Sequence, residues 1–364
     1  MGNPGGIFDG FGAGRYQNPR MTASGNFFKS RRAVGLWLLA VALVILGMIT
    51  IGGLTRLTGS GLSITEWKPI MGALPPLNDA EWADAFARYQ RIPQYVVQNH
   101  GMTLEGFKGI FWWEWTHRLL GRLLGVVFFA PFVWFAVVGA IQRSEWPRML
   151  LLFALGGLQG LIGWWMVSSG LEVRTSVSQY RLAIHLGAAL LLLVAILWIA
   201  LEYLREGEGK GNARRGFGFV ALVYVQMLLG ALVAGLHAGL IYNTWPDMNG
   251  GVFPEDPFFS APWWINFFEN PGLAQFDHRI GAYIVAGFAA FITVRSFRLT
   301  GYAKASGKAV GIITAIQIFL GVATLMMQAP EGLAALHQVT AALLLCAAVW
   351  HAYELKTSAP ARAG

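Results

Sequence analysis

Eight apolar runs of about 20 residues dominate this sequence and restrict it to helices that cross a membrane. They fall at 34–57, 112–141, 149–169, 180–203, 217–241, 274–297, 308–328 and 333–354. As a helix, each run is long enough to span about 30 Å of hydrocarbon. Charged residues make up only 13% of the chain, whereas a soluble domain carries about 25%. We therefore predict an all-α integral membrane protein that contacts the lipid bilayer.

The distribution of basic residues predicts the orientation of these helices. A net charge of +8 is also found in nucleic-acid-binding proteins. Most of the Lys and Arg residues here flank apolar runs, however, so we expect no nucleic-acid partner. The loop 242–273 contains no Lys or Arg. The positive-inside rule then places both termini in the cytoplasm and the loops 58–111 and 242–273 on the outer face. Within the first loop, 82–89 is expected to form a short amphipathic helix.

The two halves of the chain repeat one another. Corresponding residues include Gly61 and Gly239, Trp67 and Trp245, His117 and His278, Gln159 and Gln317, and His185 and His337. We predict two parallel four-helix bundles related by a pseudo-two-fold axis along the membrane normal. The predicted divisions are a disordered cytoplasmic tail (1–33), an N-terminal half (34–203), a cytoplasmic linker (204–216), a C-terminal half (217–355) and a C-terminal tail (356–364).

Four histidines occupy matching positions near the predicted outer ends of helices. His117 and His185 belong to the N-terminal half, and His278 and His337 belong to the C-terminal half. Two imidazoles facing each other in an apolar bundle suit a haem iron better than a hard cation, which prefers oxygen ligands. A lone buried histidine is more often structural, so the duplication is what favours ligation. Cys346 is the only cysteine, which excludes an intramolecular disulfide and a cysteine-based zinc site.

The halves differ beside these histidines. Glu114 stands three residues before His117 and shares its helix face, whereas Gln275 stands three residues before His278. An acid at 114 is a candidate for proton transfer, and a buried salt bridge is the structural alternative. The nearby arginines have two interpretations of equal weight, as partners of haem propionates or as counter-charges for the acids at 114 and 277. They are Arg56, Arg118, Arg122 and Arg279.

Four segments of the sequence together resemble haem A synthase of the mitochondrial and alphaproteobacterial type, and the resemblance covers about 34–355. They are Glu114–Arg118, Gly52–Thr58, Glu66–Pro69 and Asp277–Arg279. The resemblance implies an oxidoreductase that converts a porphyrin methyl group of haem O to a formyl group, through a hydroxymethyl and a gem-diol. The product would be haem A for cytochrome c oxidase. A bacterial inner membrane is implied as the location, with the haem O synthase and an electron donor as partners.

The resemblance also implies roles for individual residues. His278 and His337 would ligate the iron of a resident haem b. His117 and His185 would line the substrate site and face the iron of haem O, and Glu114 would be required for turnover. Other bacterial members carry a cysteine pair in an outer loop, and both outer loops here lack cysteine. A thiol-based mechanism is therefore excluded for this chain.

Other functions remain open on the residues alone. A non-catalytic di-haem electron-transfer or haem-handling membrane protein would need the four histidines but not Glu114. An ion or metabolite transporter would explain a repeat with charges inside the membrane, but not the duplicated histidines. His237 has no counterpart in the repeat, and we expect it to be a hydrogen-bonding group. The sequence leaves open whether copies of the chain form a homo-oligomer.

Overall fold

The structure, a computed structural model, describes residues 30–205 and 213–357. Most of the two predicted tails and the centre of the predicted linker lie outside the described residues. Within the described ranges the chain forms α-helices and short 3-10 turns but no β-strand beyond one isolated bridge, between Met248 and Gly251. The prediction of an all-α protein is confirmed.

Eleven α-helices make up the described part of the chain. In chain order they are α1 (Arg31–Leu57), α2 (Asp79–Tyr89), α3 (Pro93–Val97), α4 (Leu104–Val137), α5 (Trp146–Ser168), α6 (Gln179–Leu204), α7 (Ala213–Gly235), α8 (Asn266–Glu269), α9 (Pro271–Ser296), α10 (Gly301–Met326) and α11 (Glu331–Thr357). The eight long ones are sufficiently long and apolar to cross a membrane. The eight predicted spans are thus confirmed, and the protein is a multi-pass membrane protein.

Several helix boundaries differ from the sequence prediction, among them the beginning of α4 and the end of α7. Helix α4 begins at Leu104 rather than at 112, because the Thr103 side chain caps it by accepting a hydrogen bond from the Gly106 amide at 3.2 Å. Its first turns contain charged residues, so they lie outside the apolar run. Helix α7 ends at Gly235 rather than at 241. His237 has a φ of 52°, a left-handed conformation that does not continue an α-helix.

The long helices contact one another in the same order in both halves. In the N-terminal half, α1 packs against α4 and α6, and α5 packs against α4 and α6. In the C-terminal half, α7 packs against α9 and α11, and α10 packs against α9 and α11. The halves meet where α6 contacts α7 and α11, and where α1 contacts α11. This order agrees with the predicted repeat, while the symmetry axis itself stays a prediction.

The buried core lies where the two halves meet. It includes Leu38 of α1, Leu193 of α6, Val223 of α7 and Leu345 of α11. Large apolar side chains on the outside of the helices are exposed, as at Phe319, which is 71% exposed. In a bilayer such side chains face lipid tails, which are as apolar as they are.

The outer loop between α1 and α4 is an ordered cap over the beginning of α4. The helix predicted at 82–89 is observed as α2. Trp82 of α2 packs against Phe111 with ring centroids 4.9 Å apart, and Tyr89 packs against Phe107 at 5.3 Å. Both are buried. These contacts hold the loop close to the turn of α4 that carries Glu114.

Candidate functional site

Each of the four histidines identified in the sequence packs against a glycine on a neighbouring helix. A Cβ atom added to these glycines would lie only 2.8–3.1 Å from the Cε1 atom of the imidazole. The pairs are Gly52 with His117, Gly163 with His185, Gly230 with His278, and Gly321 with His337. Any larger residue would therefore push the ring aside. The sequence repeat contains these glycines, but their contacts with the imidazoles were not predicted.

Glutamine side chains hold three of the rings. The Gln159 amide nitrogen lies 3.2 Å from Nδ1 of His185, and the Gln317 amide nitrogen lies 3.3 Å from Nε2 of His337. The sequence repeat had pointed to Gln159 and Gln317, although not to this contact. A histidine that binds a metal donates its other ring N–H to a polar neighbour, and the amide oxygen of a glutamine can accept it.

The third glutamine, Gln226, was missed in the sequence. Its amide nitrogen lies 3.0 Å from Nδ1 of His278 and donates to the His278 carbonyl oxygen at 2.8 Å. The corresponding residue in the N-terminal half is Met48, whose methyl group lies across from Gly121. Nδ1 of His117 has no hydrogen-bond partner in the described part of the chain. The ring in the N-terminal half is therefore held less firmly than its counterpart.

In the C-terminal half the two imidazoles face each other. The ring centroids of His278 and His337 are 6.4 Å apart, and the planes are 80° to one another. Two metal–imidazole bonds of about 2.0–2.1 Å each fit within this separation, since the rest is taken up by the two half rings. In the N-terminal half, His117 and His185 are close enough to interact electrostatically. The structure thus brings together the residues of each predicted pair.

The donor set matches a haem better than a bare metal ion. Among residues 30–205 and 213–357, no three His, Cys, Asp or Glu side chains are grouped so as to hold a metal ion. A protein site for a transition metal usually supplies at least three ligands. A porphyrin supplies four of its own and needs only axial ligands from the protein. A pair of imidazoles therefore fits the cofactor that the resemblance implies.

Glu114 is almost completely buried, with 3% of its side chain exposed, and all four of its recorded hydrogen bonds are accepted ones. One carboxylate oxygen accepts from the Ser63 hydroxyl and from the Ile64 amide, each at 2.7 Å. The other accepts from Arg118, at 2.6 Å from Nη2 and 3.1 Å from Nε. The carboxylate therefore ties the outer loop to α4. None of the recorded bonds within the described residues joins it to His117.

Arg118 extends this connection between the helix and the outer loop. Its guanidinium also donates to the carbonyl oxygens of Ile64 at 2.7 Å and Glu66 at 3.0 Å. Of the two interpretations of Arg118, the structure contains the ion pair with Glu114. Its contact with a propionate stays a prediction.

Arg279 makes the matching contacts in the C-terminal half. It donates to the Tyr242 carbonyl oxygen at 2.9 Å, to the Asp247 carbonyl oxygen at 2.7 Å, and to Gln275 Oε1 at 3.0 Å. Its recorded partners in the described chain do not include Asp277, the predicted counter-charge. An arginine thus secures the outer loop in each half, with an acid beside it in one half and an amide in the other.

The remaining two arginines have different surroundings. Arg122 donates to the carbonyl oxygens of Pro69 at 2.7 Å and Lys68 at 3.0 Å. Its Nη1 atom is buried and has no partner in the described part of the chain. Arg56 reaches the other half of the protein, donating to the Ala234 carbonyl oxygen and lying 3.1 Å from Nε2 of His237.

His237 is the hydrogen-bonding group that the sequence predicted. It lies beyond the end of α7, and its ring contacts Arg56. Burial lowers the pKa of His237, and the positive charge of Arg56 lowers this pKa further. The imidazole is therefore neutral at neutral pH and is suited to accept a hydrogen bond from the guanidinium.

A cleft of about 260 Å³ opens beside His278, between α7 and α9. Its walls are mostly apolar, with Gln226 and Asp277 as the polar exceptions. Gln226 lines this cleft and also contacts the His278 ring.

The chain is similar in sequence to known proteins over most of its length. The sequence model of a family described as cytochrome oxidase assembly protein matches residues 35–349. A heme A synthase of Parvibaculum lavamentivorans is 46% identical over 340 residues, which cover 93% of this chain and 98% of that protein. Heme A synthases of Brucella anthropi and Brucella ovis are 49% and 50% identical over 329 residues, covering 89% of this chain and 92% of each relative.

Proposed function

The chain belongs to the cytochrome oxidase assembly protein family, and we propose from this premise how its two halves share one reaction. Its function is that of its relatives: it is an oxidoreductase of the membrane that makes haem A from haem O. We assign haem O to the N-terminal half as substrate and a haem b to the C-terminal half as resident cofactor. The reaction would convert a ring methyl group to a formyl group through a hydroxymethyl and a gem-diol.

The facing imidazoles of His278 and His337 carry this assignment. They are the pair in ring contact, and both rings are oriented by glutamines. We propose that these two residues hold the iron of haem b. A haem with two histidine ligands has no open position and supplies one-electron transfer. Fixed ligands suit this task, because rigid surroundings keep reorganisation small.

His117 and His185 are assigned to the substrate. Their rings are seated against Gly52 and Gly163, in the same way as those of the other pair. Nδ1 of His117 has no hydrogen-bond partner in the described part of the chain, so no hydrogen bond to this atom fixes the orientation of the ring. We propose that the two imidazoles flank the iron of haem O and orient its methyl group.

Glu114 has two proposed roles. Its hydrogen bonds to Ser63, Ile64 and Arg118 anchor the outer loop above His117, which supports a positioning role. Proton transfer, the role expected from the sequence, requires the carboxylate to release some of these bonds during turnover. The matching residue of the C-terminal half is Gln275, which is not an acid. This difference supports placing the reaction in the N-terminal half.

We propose that the arginines contact the haem propionates, and they differ in how many of their nitrogen atoms already have a hydrogen-bond partner. Arg122 has a buried Nη1 atom without a partner in the described residues, so it can bind a carboxylate without losing its present bonds. Arg279 likewise has a buried Nε atom without a partner in the described residues, and Arg56, Arg118 and Arg279 all donate to protein atoms. A propionate would have to share these guanidiniums with the loops they secure.

The membrane setting and the partners follow the same reasoning. We propose the bacterial inner membrane, with both termini in the cytoplasm and both histidine pairs near the outer face. The haem O synthase would supply the substrate, and an electron donor would reduce the resident haem b.

The decisive test of the activity is chemical analysis of haems from a host that makes haem O but lacks haem A. Extracted haems are separated and their masses measured, with and without the protein. We expect haem A or its hydroxymethyl precursor only when the protein is present. Haem O alone, beside a folded protein that contains haem b, would instead favour the non-catalytic electron-transfer protein.

The assignment of haem b is tested by replacing one of its ligands. We expect His278→Ala to lower the haem b content of the purified protein, because one axial bond is lost. His351→Ala is the matched control, since His351 is also buried and contacts Ser306 at 3.0 Å but belongs to neither pair. Equal haem b content in the two variants would contradict the assignment.

A further inference from the structure

Gln338 lies at the interface of the two halves and binds a helix of the other half. Its amide nitrogen donates to the carbonyl oxygen of Ile49 on α1 at 2.7 Å. A Cβ atom on Gly53 would overlap the amide oxygen of Gln338. Only glycine at this position lets the amide approach the backbone of α1.

Two consecutive glycines of α1 contact one histidine of the N-terminal pair and the residue that follows a histidine of the C-terminal pair. Gly52 is in contact with the ring of His117, and Gly53 is in contact with Gln338. Successive residues of an α-helix point about 100° apart, so the two contacts lie on different sides of the helix. Gln338 directly follows His337 in the sequence. One turn of α1 thus lies between His117 and the residue that follows His337.

The contact between α6 and α7, which matches the contact between α11 and α1 in the repeat, lacks this amide. Where α6 meets α7, the residue after His185 is Leu186, and the residue after Gly230 is Ala231. Leu186 packs against the apolar core, and Ala231 is buried. The glycine and the glutamine therefore occur together in one interface and are replaced together in the other. Leu186 and Ala231 show that close packing at such an interface does not require a glutamine and a glycine.

We propose that Gln338 is a positioning residue that couples the two haem sites through α1. The proposal rests on the proposed function, with haem b at His278 and His337 and haem O beside His117. Seating a substrate against His117 displaces the turn of α1 at Gly52. The hydrogen bond from Gln338 to Ile49 passes this displacement to α11 at His337. The resident haem b therefore senses whether the substrate site is filled.

The test measures the electron paramagnetic resonance signal of haem b in the purified protein, with and without zinc-substituted haem O. The zinc compound gives no such signal, and its fluorescence reports its own binding. We expect its addition to shift the haem b signal of the natural protein. The double variant Gln338→Leu with Gly53→Ala copies the residues of the other interface. It should keep haem b and still bind the zinc compound, but lose at least half of the shift.

A control and a second variant make the outcome decisive. Leu186→Met changes the other interface and should leave the shift intact. If the double variant fails to retain haem b, Gln338→Asn is used, whose amide is too short to reach Ile49. A full shift in the variant that retains haem b, or no shift in the natural protein, would overturn the coupling. Natural protein that lacks haem b or does not bind the zinc compound would instead overturn the proposed function.

Discussion

Replacing Glu114 separates its anchoring of the outer loop from proton transfer. In Glu114→Ala, the Arg118 guanidinium keeps its charge in a site where 16% of its side chain is exposed. The Ser63 hydroxyl and the Ile64 amide also lose their acceptor. Removing one partner of a buried ion pair costs about 3–5 kcal/mol. Because Arg118 still donates to two carbonyl oxygens, we expect a loss near the lower end, about 3 kcal/mol.

Glu114→Gln should cost less, and the other half of the protein shows why. There Gln275 accepts from Arg279 through its amide oxygen, so a glutamine at 114 can still accept from Arg118. Its amide nitrogen would, however, face the Ile64 amide, and two donors cannot bond. One buried donor without an acceptor costs about 1–3 kcal/mol. We expect the natural protein to be the most stable, Glu114→Gln to be less stable, and Glu114→Ala to be the least stable.

Thermal unfolding of the detergent-purified protein and protease cleavage of the loop 58–103 measure this order. The control is Glu105→Ala on the same helix, since Glu105 is 80% exposed and pairs with Lys108 at the surface, where such pairs contribute about 0–1 kcal/mol. Natural stability and loop protection in Glu114→Ala would refute the anchoring role. Haem A formation decides the other role: a fully active Glu114→Gln protein would exclude proton transfer by this residue.

Two further predictions follow from the packing of the histidines. Gly321→Ala should lower haem b content, because its Cβ atom would lie 2.8 Å from Cε1 of His337. Gly332→Ala, on the helix of His337 with open space around it, should not, and equal haem content in the two variants would contradict the contact. The lowered pKa of His237 means that the unfolded chain binds a proton more readily, so stability should fall as pH decreases below about 6.5. His237→Asn, which tolerates the left-handed backbone, should reduce this pH dependence in thermal unfolding, and an unchanged pH dependence would contradict the role of His237.

The sequence predicted the number of spanning helices and the residues of both histidine pairs, because each depends on local pattern. Apolar length defines a span, and the repeat identifies corresponding histidines. The beginning of α4 was missed because Glu105 and Lys108 interrupt the apolar pattern while Thr103 still caps the helix. Hydrophobic periodicity reports which residues are buried, but a capping hydrogen bond depends on a single side chain.

The partners of the arginines could not be predicted from the same pattern. Both interpretations of Arg118 were open, because spacing brings Glu114 within reach but does not reveal the loop carbonyl oxygens. The contact of Gln338 with Ile49 was equally hidden. It joins residues far apart in the chain, and it depends on how two helices are rotated against each other. Composition and repeat contain no information on that rotation.

The two halves are most alike where they secure their outer loops and differ where they hold the imidazoles. Arg118 and Arg279 bind their loops in the same way, so both halves need a closed outer end. Gln226 holds the ring of His278, whereas Met48 stands at the matching position in the other half. A net hydrogen bond contributes about 0.5–1.5 kcal/mol, which is about a two- to twelvefold preference for one ring orientation. Such a preference favours a cofactor that stays bound, and its absence favours a substrate that must leave as product.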